Sequence, residues 1–138
     1  MELPTKKVLT LEAAKLIAAA AQAEAKKHNW NLVICVVDDG GHPIYLERMD
    51  GAQLASVQVA QDKARTAVLF KRPSKALEEA VAGGRTVVMK LAGAIPVEGG
   101  IPIMSGTQLI GAIGVSGASS AQDGQVAAAG LAAVDGIQ

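Results

Sequence analysis

From Thr10 onward, apolar residues recur with helical spacing. Leu11, Ala14, Ile17, Ala18, Ala21 and Ala25 fall on one face, and Lys26 and Lys27 lie near the end where cations suit the helix dipole. This predicts a helix capped by Thr10 and running to about His28. The period then changes. Leu32–Val37 is a continuous apolar run rich in β-branched residues, Asp38-Asp39-Gly40-Gly41 is a turn sequence, and His42–Met49 reads as a second strand, so the two form a hairpin. Asp50-Gly51 ends that strand. Ala52–Phe70 returns to helical spacing until Pro73 stops it. Ser74–Met89 reads as a short helix after Ser74, with another around Thr86–Leu91, the two broken apart at Gly83-Gly84.

The densest pattern lies between Glu98 and Asp123. Gly99-Gly100 precedes Ile101-Pro102-Ile103, Ser105-Gly106 separates two apolar runs as a hairpin turn would, and Gly111, Gly114 and Gly117 punctuate the second run. Glycine weakens a strand interior unless another backbone or a ligand must come close. Ser120 and Asp123 have the spacing of a capping box, which starts a last helix running to about Val134. A strand, a glycine turn and a helix N-terminus thus converge, and their amides would favour a carboxylate or phosphate. Hairpins demand antiparallel pairing and the one-faced helices must pack on the sheet. The expected fold is therefore an α+β sandwich in one domain, residues 1–138.

Composition narrows the function classes. Thirteen basic residues balance thirteen acidic ones with no basic block beyond Lys71-Arg72, so nucleic acid is not an expected partner. No apolar stretch approaches the roughly 18 residues of a membrane helix, and Met1–Thr10 lacks the apolar core of a signal peptide; a cytoplasmic protein is expected. Cys35, the single cysteine, reads as a small buried hydrophobe. The chain is 50% hydrophobic, yet its aromatics are only Trp30, Tyr45 and Phe70, so the apolar content is Ala, Val, Ile and Leu. Such side chains bury little area each, and a small domain built from them gains from burial against copies of itself, which predicts a homo-oligomer.

The candidate chemistry is sparse. His28 and His42 are the two histidines, neither with a metal-ligand partner at helical or hairpin spacing, so no metal site is expected. Ser116 lies in Gly114-Val115-Ser116-Gly117, an incomplete nucleophile elbow. Asp38, Asp39, Glu47, Arg48 and Asp50 bracket the first hairpin, while Lys63 and Arg65 lie on the second helix; Arg48 or Lys63 could meet an acidic ligand, Arg as a planar fork and Lys as a point charge.

The segments Val36–Gly41, Glu47–Ala52, Lys63–Ala67, Gly99–Ile103, Gly111–Gly117 and Gln122-Asp123 leading into Ala127–Ala133, in this order, resemble the haem-degrading or GlcG/HbpS-like domain family, also found as the C-terminal domain of some corrinoid adenosyltransferases. The resemblance covers nearly the whole chain. It implies a five-stranded antiparallel sheet flanked by helices, a profilin-like sandwich, with dimers assembling into an octamer, and binding or degradation of haem or a related tetrapyrrole. The matching motif positions offer Arg48, Lys63, Gly99, Gly100, Gly114, Ser116 and Gly117 as ligand-binding candidates; His28 and His42 are the axial candidates by chemistry alone. Two other functions stay open. One is an enzyme acting on a small organic acid, in which glycine-rich amides hold an oxyanion and His42, Asp50 or Lys63 moves the proton. The other is a non-catalytic scaffold.

Overall fold

A computed structural model describes residues 1–134 of the chain. Helix α1 spans Leu11–Lys27, strands β1 and β2 span Val33–Asp38 and Pro43–Arg48, and helices α2 and α3 span Ser56–Leu69 and Ser74–Ala82. A 3-10 turn covers Thr86–Lys90, strands β3 and β4 span Gly100–Ser105 and Gln108–Ser116, and α4 spans Ser120–Ala132. The α+β class and the element order follow the sequence pattern. No helix among the described residues is long and apolar enough to cross a membrane.

The sheet is antiparallel, in the order β2-β1-β4-β3. Helices α1 and α4 cover one face and α2 the other. The residues Leu32–Val37 are fully buried because β1 is central and covered on both faces, which is why they form an unbroken apolar run rather than an alternating one. Burial pushes the Cys35 thiol up to about 12, leaving it an inert core group.

The resemblance implied five strands; the described residues form four. The stretch between α2 and β3, where another strand could have formed, instead holds α3, the 3-10 turn and a loop broken by glycines and Pro96. Both sheet edges are also blunted. Pro43 and a bulge facing Val36–Val37 interrupt β2, whereas Pro102 removes one donor from β3 and Ser74 Oγ occupies Gly100, accepting its N–H at 2.9 Å and lying 3.4 Å from its carbonyl oxygen.

Two helix starts differ from expectation. Helix α2 begins at Ser56 rather than Ala52, because Ala52 and Ser56 close successive turns on Met49 and Gln53. The capping box of α4 sits one residue earlier than predicted. Ser119 Oγ accepts the Gln122 amide and Gln122 accepts the Ser119 amide, which releases Asp123 for another partner.

The small residues set the layer spacing. A Cβ on Gly114 would run into the Ala60 carbonyl oxygen and lie 2.6 Å from the Ala64 amide, so α2 rests directly on β4. On the other face, Gly130 of α4 backs onto Ile17 and Ala21 of α1. We expect Gly114→Ala to lower the unfolding free energy by about 3 kcal/mol, since backbone must move to admit one methyl group. Urea unfolding would measure this, and a loss below about 0.5 kcal/mol would show that the helix has room to shift.

Candidate functional site

The glycine-rich segment converges with α2 around a buried ion pair. Lys63, 2% exposed, donates from Nζ to Asp123 Oδ2 at 2.9 Å and to the Val115 carbonyl at 3.0 Å. Asp123 Oδ1 accepts the Ala118 amide at 2.9 Å. Burial pushes the Asp123 carboxyl above its ordinary value, against the pull of the Ala118 amide and the Lys63 ammonium. The anion-favouring amides read from the sequence therefore exist, and the anion they hold is the protein's own Asp123.

Six of the candidate ligand residues meet along this seam. A Cβ on Gly99 would lie 2.9 Å from Lys63 Nζ, Gly100 backs onto the Lys63 carbonyl, and Gly114 backs onto α2. Gly117, at φ +142°, packs against Leu32, and Ser116 Oγ donates to Ser56 Oγ at 2.9 Å in the interior. The glycines serve close approach of backbone to backbone and to Lys63. Toward solvent, Gly99 and Gly100 border an apolar hollow of 270 Å³ with Pro73, Ile101, Gly124 and Ala128.

Arg48 and Asp50 lie elsewhere, in an open polar cleft of 410 Å³ between the end of β2 and α1, with Gln22, Lys26 and Glu47. Gln22 Nε2 donates to Glu47 Oε2 at 2.7 Å, and burial raises the Glu47 carboxyl above its ordinary value, partly offset by Lys26.

The two histidines stand near opposite ends of β1, a strand about 17 Å long. His28 Nε2 faces Glu24 Oε2 at 3.1 Å and Gln125 Nε2 at 3.3 Å, and its ring stacks on Trp30 with centroids 4.3 Å apart. It ties the end of α1 to α4. His42 is freer. Its Nδ1 lies 3.3 Å from Asp38 Oδ1, and the side chain is 81% exposed. Nε2 lies on the other side of the ring and has no partner among the described residues. Asp38 also builds the turn, accepting the amides of Gly40 and His42 at 2.9 Å. Burial opposes ionisation of this carboxyl, but the amides of His42 and Gly40 and the His42 ring outweigh it and hold the group below its ordinary value. At Gly41, φ +83°, the missing Cβ leaves room for Arg65 of α2. The pairing of Lys63 with Asp123, 60 residues apart, and the placing of Arg65 beside the His42 turn had no local signal in the sequence.

Removing one member of the buried pair leaves an uncompensated charge. Lys63→Ala should cost about 3–5 kcal/mol, while Lys63→Met with Asp123→Leu should cost clearly less; equal losses in denaturant titrations would contradict a paired structural role. Asp38 has a depressed folded value, so its stabilising contribution is fully present above its unfolded value and disappears as pH falls through the lower folded one. The stability gap between wild type and Asp38→Asn should be constant above about pH 5 and close below about pH 4. A gap that widens on acidification in thermal melts would contradict this.

Comparison with known proteins places this architecture. Residues 9–132 match a family model described as haem degrading protein HbpS-like. Protein GlcG of Escherichia coli K12 is 45% identical over 108 residues, covering 78% of this chain and 81% of that protein. A double mutant of Streptomyces reticuli HbpS superposes with a TM-score of 0.87 at 35% identity, over 94% of this chain and 89% of that one. A PduOC:haem complex superposes with a TM-score of 0.85 at 28% identity, over 94% and 96%. From the matched span and these identities, the chain belongs to the GlcG/HbpS-like family, whose model carries that description.

Proposed function

We propose that this protein binds haem or a related tetrapyrrole, with His42 as the axial ligand. The observation that carries the reading is the state of His42. It is exposed, its Nδ1 faces Asp38, and its Nε2 has no partner among the described residues. An imidazole oriented through one nitrogen by a carboxylate presents the other to a metal as a more basic ligand. His28 offers less, because its Nε2 is engaged by Glu24 and Gln125 and one ring face is covered by Trp30. The family and the haem-bound structural relative support the ligand class. When bound, the group supplies an iron centre; the chain's part is to hold it and to set the environment of its axial nitrogen.

A haemin titration followed by absorbance tests this. We expect a Soret band that saturates at a fixed stoichiometry, is lost in His42→Ala and is kept in His28→Ala. Loss in His28→Ala with retention in His42→Ala, or a broad change that never saturates, would contradict the reading.

A further inference from the structure

Asp62 and Arg65 stand on α2 at the spacing where a carboxylate and a guanidinium meet on a helix surface. Among the described residues they form no ion pair, with each other or with any other side chain. Each has another neighbour. Arg65 lays its stem against the first hairpin, where the Cβ that Gly41 lacks would lie 3.2 Å from Arg65 Cγ and 3.4 Å from Nε. Asp62 is engaged one turn back along the helix, its Oδ1 accepting Gln58 Nε2 at 2.9 Å, and its Oδ2 has no partner among the described residues.

Both side chains line a polar cavity of 190 Å³ whose remaining wall is Gly93, Ala94 and Ile95. That wall is tied to the helix. The buried Thr66 hydroxyl accepts the Ile95 amide at 2.9 Å and donates to the Asp62 carbonyl at 2.7 Å, so one group joins the loop to the turn that carries Asp62. The Ala94 amide closes the loop on the Leu91 carbonyl at 3.2 Å. Its volume is below the roughly 300 Å³ at which pockets for drug-sized ligands begin, so it suits a molecule of a few heavy atoms. The charges narrow the class further. A simple carboxylate on Arg65 would bring a like charge to Asp62, and a simple amine on Asp62 would bring one to Arg65. A zwitterion satisfies both, because the guanidinium fork takes its carboxylate and the Asp62 carboxylate accepts from its ammonium.

We propose that this cavity binds a small α-amino acid as its zwitterion, with the carboxylate on Arg65 and the ammonium on Asp62. Neither histidine lines it, so binding there does not depend on haem. The test titrates isotope-labelled protein, without haemin, with alanine, propionate and ethylamine, and follows the backbone amides by NMR. Propionate lacks the ammonium of alanine and ethylamine lacks its carboxylate. With alanine the amides of Gly93, Ala94 and Ile95 should shift and saturate, whereas the other two probes should need about tenfold to a hundredfold more, the range of a charge-assisted hydrogen bond. Arg65→Ala should weaken alanine by a similar factor and abolish its advantage over ethylamine; Asp62→Asn should abolish its advantage over propionate. Arg48→Ala, in the separate polar cleft, should leave the titration unchanged. Equal responses to alanine and propionate, loss in Arg48→Ala with retention in Arg65→Ala, or no saturating shift at these amides overturns the assignment.

Discussion

The contact on which the structure depends most is the close approach of α2 to the sheet. Ala60 and Ala64 meet Gly114 with no side chain between them, and Gly99 and Gly100 come down on Lys63 from β3. At this separation the Lys63 side chain is almost wholly closed off from solvent. It must then be met from within, which Asp123 and the Val115 carbonyl do. Once Asp123 is committed to Lys63 and Ala118, the start of α4 is fixed relative to α2 and β4, and Ser119 with Gln122 takes over the cap. The spacing of one helix from the sheet thus sets the position of the last helix.

The same constraint separates interior from function. Most residues that look like a ligand cradle in the sequence face α2 or the interior, although Gly99 and Gly100 also border the apolar hollow, and His42 lies on a turn outside the sheet. His42 is held there by Asp38, which shapes the turn through the Gly40 and His42 amides and orients the ring through Nδ1. A turn built by one carboxylate is a small, local device, and it leaves the imidazole presented rather than packed.

Much of the fold was legible from periodicity. The alanine face of α1, the buried run of β1 and the two glycine turns each carry their own local signal. The cap of α4 was misplaced by one residue because adjacent serines, Ser119 and Ser120, each have a capping-type residue three positions on, and only the burial of Asp123 decides between them. A fifth strand was implied by resemblance, not by any strand-like run, and the glycine-broken stretch before β3 does not form one. The site was less legible. Spacing shows that the glycines permit close approach, but not whether the approaching partner is a ligand or a helix backbone, and contacts such as Lys63 with Asp123 or Arg65 with Gly41 exist only after the chain has folded.

The central claim is that the glycine seam is structural and that the ligand meets the outer turn. Hydrogen exchange read by mass spectrometry, with and without haemin, tests it directly. Protection should appear in peptides covering Asp38–Pro43, with no change over Gly114–Gly117. Protection centred on Gly99–Gly117, with the His42 turn unaffected, would contradict the account.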